Sequence, residues 1–316
     1  MTSLNMNIPK IENDACYWIV RSGVEAKYFE QFYNDKCIAL GWDKITNINM
    51  IKEQLNADSL KNIVEEEYLE EIKEIKSNAS SISRKITDIS NKIYKFVVEM
   101  KVGDFIVTPG TDEILIGIVE GEAKLVEGKF NKISEKKEEK LIGELNKVRT
   151  VTWLKRVGRE QMEPHLRLIL GIYHGIAKIS EEQAITEINR MIYDFYVINN
   201  TGHTTYRIND EAEIDFQKYA NFIYHVNGIY NVLKDDFEDS RLTIKTNIQS
   251  PGPIELIGET SLVSCILAGI SSLLKNNDKG LNKLSDPIRK KLEDYKEENP
   301  NEIDYDDYDF PGMGTY

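Results

Sequence analysis

Apolar positions follow two rhythms along this chain, one of period two and one of period three to four. Short β-type runs occur at Tyr17-Trp-Ile-Val-Arg21, ended by Ser22-Gly23, and at Cys37-Ile-Ala-Leu-Gly-Trp42, closed by Gly41 and followed by Asp43. Between them residues 26–33 have helical spacing, with Tyr28, Phe29, Phe32 and Tyr33, and residues 48–55 predict a further helix. From Leu60 to Met100 the pattern is long and helical, acidic in its first half and broken at Asn78-Ala-Ser-Ser81. In its second half Ile82, Ile86, Ile89, Ile93 and Phe96 recur every three or four residues, which predicts one buried stripe and a helical hairpin. Phe105 to Thr108 and Ile114 to Val119 are β-branched runs joined by turn residues at Pro109 to Asp112, the pattern of a β-hairpin. Gly117 and Gly121 are places where its second strand can coil or admit another backbone. The Lys/Glu-rich residues 128–140 read as an exposed loop or short helix, Val148 to Leu154 alternates as a strand, and Leu166, Ile169, Leu170, Tyr173 and Ile176 mark a closing helix.

Beyond Ser180 the order changes. A Ser-Glu-Glu start followed by Ile185, Ile188 and Ile192 predicts a capped amphipathic helix. Phe195 to Asn199 reads as a strand and Asn200-Thr-Gly-His-Thr-Thr205 as a polar loop. Residues 216–233 predict a helix with Phe222, Val226 and Ile229 inward. Two strands, Leu242 to Asn247 and Ile254 to Gly258, flank the turn Ser250-Pro-Gly-Pro253, and Leu262, Ile266, Ile270, Leu273 and Leu274 mark an apolar helix. The uncharged run Thr260 to Leu274 has 15 residues, short of the roughly 20 that span a bilayer, so a buried core helix is expected and no membrane partner. A last helix is expected near Pro287 to Tyr295.

Composition narrows the class. The 316 residues, 41% hydrophobic and 29% charged, suffice for two domains. A net charge of -13 argues against coating nucleic acid by bulk electrostatics, which needs many Lys and Arg on phosphates. From Glu293 onward nine acidic residues face Lys296 alone, so the body is only mildly acidic. Cys16, Cys37 and Cys265 lack close pairing, which fits buried thiols in a reducing compartment, and the first fourteen residues carry no basic-then-apolar leader. A cytoplasmic protein is expected.

The succession Trp18 to Arg21, Ile38 to Trp42, Phe96 to Val107 with Lys101-Val-Gly-Asp104, Ile116 to Gly121, Arg149 to Leu154 and Leu166 to Ile179 resembles PUA-like domains related to the EVE and YTH families. The likeness is to the version at the N-terminus of Mrr-type restriction-system proteins. It implies an α+β protein: a small twisted PUA-like β-barrel with flanking helices over 16–180, with 60–100 as a helical-hairpin insertion. A flexible N-terminus over 1–15, an α+β interaction domain over 181–290 and an acidic tail over 291–316 complete the expected organisation.

The resemblance also implies recognition of nucleic acid, DNA before RNA, in a bacterial antiviral defence or restriction-type system. A modified or flipped base would enter a pocket with aromatic walls and a few polar groups. Trp18, Trp42 and Trp153 are the only tryptophans and all fall on the matched strands, while Arg21, Asp43, Thr108 and Arg149 lie at or near strand ends. These seven are the expected nucleic-acid-binding residues. A Trp on a strand of a small barrel more often packs than cages, and Arg21 and Arg149 also suit surface ion pairs. A protein partner from the same system and a homodimer fit the second domain.

Two other readings stay open. A metal-dependent nuclease would need paired carboxylates and a Lys, for which Glu213, Asp215 and Lys218, or Glu255 with Lys245, are the candidates. Neither set has the Asp, then Glu-x-Lys, layout of restriction nucleases. A protein-interaction module without nucleic-acid binding is the third reading. His165, His174, His203 and His225 are scattered without ligand spacing, and no phosphate-binding Gly-rich loop is present, so no catalytic set, metal or cofactor is expected.

Overall fold

The computed structural model describes residues 8–130, 136–172, 175–208, 215–237, 240–246, 254–305 and 308–309. The fold is α+β, and the chain divides into two compact units, Ala15–Ile188 and a second made of Met1–Asp14 with Asn189–Tyr316.

In the first unit the described strands are β1 (Tyr17–Val20), β2 (Cys37–Leu40), β3 (Phe105–Pro109), β4 (Glu113–Val119), β5 (Lys124–Leu125), β6 (Lys147–Gly158) and β7 (Ile176–Ile179). Its helices are α1 (Phe29–Asn34), α2 (Ile48–Lys52), α3 (Lys61–Ile75), α4 (Ala79–Tyr94), α5 (Lys137–Ile142) and α6 (Pro164–Ile172), and α7 (Glu182–Ile192) follows. The strands join in the order β2-β6-β4-β3-β1-β7, with β5 also on β6. β1 and β3 run parallel and the remaining pairs antiparallel.

β6 gives this sheet its curl. Its first residues pair with β2 and β5, and from Val151 onward it pairs with β4, so one long strand serves two parts of the sheet. The register slips between Ile116 and Gly117 on β4, a bulge of the kind that bends a strand and tightens its twist. Gly117 is required there, because a Cβ would sit 2.6 Å from the Thr152 carbonyl oxygen and 2.7 Å from the Trp153 ring. The α3–α4 hairpin lays Val64, Tyr68 and Ile72 of α3 onto the core of this sheet together with Ile86, Ile89 and Ile93 of α4, which belong to the stripe that the spacing predicts. Asn78 starts α4 by accepting a hydrogen bond from the Ser81 amide.

In this unit the end of the closing helix differs from its sequence reading. Ile176 stands in β7, antiparallel to β1, and does not continue α6. Gly175, just before β7, adopts φ 80, a left-handed conformation that side-chain-bearing residues rarely take. Tyr173 and His174 lie outside the described residues.

In the second unit β8 (Phe195–Ile198), β9 (Thr201–Ile208), β10 (Thr243–Thr246), β11 (Ile254–Glu259) and β12 (Tyr308–Asp309) form an antiparallel sheet, joined in the order β10-β11-β9-β12 with β8 also on β9. Residues 200–205, read from sequence as a polar loop, are mostly strand. The turn is confined to Asn199 and Asn200, both with φ above +50, the geometry of a two-residue hairpin that asparagine tolerates. α8 (Phe216–Leu233), α9 (Thr260–Lys275) and α10 (Asp286–Glu298) share a core with one face of this sheet through Phe222, Val226, Ile266, Leu292 and Tyr206. Nearly all of α9 is buried, as its uncharged run predicts. No described helix is long and apolar enough to cross a membrane. The turn at 250–253 lies outside the described residues.

Candidate functional site

Two fully buried cations stand two residues apart on β6. Lys147 is 0% exposed and Arg149 2%, and each holds an irregular stretch of backbone in place. The Lys147 ammonium donates to the carbonyls of Gly41 and Trp42, at 3.1 and 2.7 Å, and to Asn146 Oδ1 at 3.1 Å. Its three protons meet three oxygens. Burial pushes this lysine down to about 7, with Asp43 opposing the shift. The loop it grips carries Trp42 at φ 60, rare for a bulky aromatic.

Arg149 does the same for the end of α4. There the helix widens into a π turn, Lys95–Glu99, whose last carbonyls lack helical partners. Arg149 Nε donates to Phe96 O at 2.8 Å, and Nη2 donates to Val97 O and Met100 O at 3.2 and 2.8 Å. Nη1 reaches Gly121 O at 2.9 Å, tying the π turn to the end of β4. Burial lowers this guanidinium to about 10, against the pull of Glu122 and Asp104.

Beside this clamp opens a cleft of about 340 Å³ lined by Lys52, Val97, Val98, Met100, Lys101, Val102, Glu122 and Arg149. Its apolar wall is the π turn and the residues after it. Lys52 pairs with Glu122, whose carboxyl that contact holds below its usual range, and the Lys101 ammonium donates to Val98 O at 2.7 Å. Three cations and one carboxylate, which pairs with Lys52, therefore line the cleft. The arrangement suits an anion that carries a flat or apolar body.

The expected site residues have other tasks. Asp104 joins the N-terminal strand to the turn before β3: its Oδ1 accepts from the Cys16 amide at 2.9 Å, and its Oδ2 accepts from Trp18 Nε1 and the Lys101 amide, both at 2.8 Å. Trp18 is thus 1% exposed in the core. Trp153 packs against the same core and donates Nε1 to Phe32 O at 2.8 Å. Trp42 is 4% exposed, lies with Lys92 Nζ 5.9 Å from its ring, and has no partner for Nε1 among the described residues.

Asp43 Oδ2 accepts from the Glu144 amide at 3.1 Å and its Oδ1 from Tyr68 OH at 3.3 Å. Arg21 Nη2 donates to Leu170 O at 2.6 Å, and Thr108 is fully buried on β3. Of the seven, only Arg149 lines the cleft, and Trp42 with Asp43 neighbours Lys147. Lys52, Lys101 and Glu122 carried no signal in the sequence, because isolated surface-type charges in so charged a chain look alike.

In the second unit Asp215, a nuclease candidate, caps α8 by accepting from the Lys218 amide. Glu213 lies outside the described residues. Glu255 and Lys245 do meet as cross-strand neighbours. Among the described residues no group of three or more His, Cys, Asp or Glu is placed to hold a metal ion.

Residues 18–167, a little under half of the chain, match the family model described as Domain of unknown function (DUF8426). No curated protein and no solved structure matches the chain.

Proposed function

We propose that the Ala15–Ile188 unit is a PUA-like module that holds a nucleic-acid strand in the Lys52–Lys101–Arg149 cleft. The observation that carries this reading is the cleft itself: about 340 Å³, within the size range of small-ligand sites, with cations at its rim and an apolar wall. A nucleotide presents a phosphate and a flat base, and these two surfaces match that division. Because the Arg149 fork already serves four backbone carbonyls, Lys52 and Lys101 take the phosphates, and Val97, Val98, Met100 and Val102 meet the base. Glu122 must leave Lys52 when phosphate arrives. The placement in a bacterial defence system, and a protein partner for the second unit, rest on the resemblance alone.

Binding to labelled single-stranded DNA and RNA, unmodified and base-modified, across a salt series tests this. Two lysine–phosphate contacts on a single strand give a slope of log K against log salt near about -1.4. Lys101→Glu should weaken binding to every sequence and flatten that slope by about 0.7, while Glu122→Gln should tighten binding. Absence of binding by the wild-type protein at low salt would overturn the reading and leave the protein-interaction module in its place.

A further inference from the structure

The polar face of the second sheet holds a side-chain cluster that strand binding does not use. His203 on β9 shares a 3.0 Å contact between Nδ1 and Oε1 of Glu255, which is 0% exposed on β11. Tyr196, directly opposite on β8, stacks flat on the imidazole at 4.7 Å and 11°, with its hydroxyl 3.4 Å from the same carboxylate oxygen. The ring is therefore fixed in plane and in tilt. With Nδ1 turned to the carboxylate, the lone pair of Nε2 points away from it, and Nε2 has no partner among the described residues. A carboxylate behind one ring nitrogen and a second nitrogen left to accept a proton is the arrangement of a general base.

The neighbours set the charge of what it acts on. Arg190 Nη1 lies 3.9 Å from Glu255 Oε2, and exposed Lys245 faces Glu255 from the next strand. Arg207, two residues beyond Thr205 on the same face of β9 as His203, pairs with Asp194 and donates Nη2 to Arg190 O. Arg190, Arg207 and Lys245 stand against Glu255 and Asp194, an excess of one positive charge that fits an anionic substrate. Glu255 is 0% exposed behind the imidazole, so the group placed to react is a hydroxyl that gives its proton to Nε2, and an anion that carries such a hydroxyl beside its phosphorus is a ribonucleotide phosphodiester.

We propose that His203 is the general base of a transesterification that cleaves RNA, with Glu255 as its positioning residue. Nε2 takes the proton of a ribose 2′-hydroxyl and the 2′-oxygen bonds to the adjacent phosphorus. The bond from phosphorus to the 5′-oxygen breaks, and that oxygen leaves with a proton from the Lys245 ammonium. The products are a 2′,3′-cyclic phosphate and a 5′-hydroxyl; no electrons are exchanged, and solvent restores both protonation states. The step goes beyond strand binding by the first unit and uses no residue of that cleft.

The full-length protein incubated in EDTA with an end-labelled RNA, its all-deoxy counterpart and a 2′-O-methyl version provides the test. Cleavage of the RNA alone, with cyclic-phosphate ends, is expected. His203→Ala should lower the rate about 100-fold or more, with partial recovery on adding imidazole, and Glu255→Gln should lower kcat about tenfold with KM unchanged. Because Glu255 is buried and its variant can lose stability, His203→Gln with an unchanged melting curve serves as the second inactive variant. Uncut RNA with the wild-type protein, cleavage of the deoxy strand, or full activity in both His203 variants would overturn the proposal. RNA that binds through Lys101 and stays intact would overturn it while leaving the strand-binding reading in place.

Discussion

Lys147 and Arg149 show how a buried charge can be tolerated when backbone oxygens replace water. Each cation takes lone pairs that no helix or strand could satisfy, so removing either leaves several orphaned acceptors. Replacing Arg149 by Met strands the carbonyls of Phe96, Val97, Met100 and Gly121. A loss of about 3–5 kcal/mol is expected, read from the urea midpoint, and Arg149→Lys should lose nearly as much because an ammonium cannot span the fork. A lysine variant of wild-type stability would contradict the clamp. Lys147 adds a pH signature. Its folded value near 7 lies below its ordinary 10.5, so between these limits the unfolded chain holds a proton that the folded one lacks. The contribution of this residue to stability therefore rises with pH across that window, by at most about 1.4 kcal/mol per pH unit, and is flat below it. Lys147→Met should remove that slope; parallel pH profiles for the two proteins would refute it.

At the scale of elements, the β4–β6 pairing decides where the clamps and the cleft stand. The bulge at Gly117 turns β4 against the long β6, and the close seat of Trp153 over Gly117 leaves no room for a side chain. Gly117→Ala should cost about 1–3 kcal/mol through forced displacement of the Thr152 backbone, measured by chemical denaturation, and an unchanged midpoint would show that the strands can part there freely. This pairing also marks how far the sequence is legible. Strands, the α3–α4 hairpin and the buried α9 follow from hydrophobic period, because burial of one face or all faces imposes that period directly. The Ile176 strand was hidden by its shortness, four residues beside β1, and β9 by its threonines and glycine, which look like loop until pairing with β11 is known. Trp18 and Trp153 were legible as strand residues but not as donors to Asp104 and Phe32, since those partners lie 86 and 121 residues away, whereas Trp42, expected on a strand, stands in the loop after β2. The cleft was least legible, because Lys52, Lys101 and Glu122 converge only after three separate elements have packed.

At the scale of the whole molecule the chain passes between its two units twice, and the first passage assigns the N-terminal residues a structural task. Residues 9–11 run beside β8: Val197 donates its amide to Pro9 O and accepts from the Ile11 amide, both at 2.9 Å, and Ile11 is buried. The stretch expected to be frayed thus covers an edge of β8 that would otherwise present unpaired backbone groups. At the other end, the acidic residues expected as tail from 291 begin inside α10, and Tyr305 is 1% exposed, its hydroxyl donating to Lys218 O at 3.0 Å. Both termini therefore belong to the second unit, which is assembled from the two ends of the sequence. Deleting residues 1–14 should open β8 and weaken that unit by about 1–3 kcal/mol, roughly the loss of two backbone hydrogen bonds and one buried side chain. Hydrogen exchange followed by mass spectrometry localises the effect: peptides covering β8 and β9 should exchange faster, and those covering β3 and β4 should not change. Equal acceleration in both units would mean that the N-terminal residues stabilise the molecule by some route other than the edge of β8.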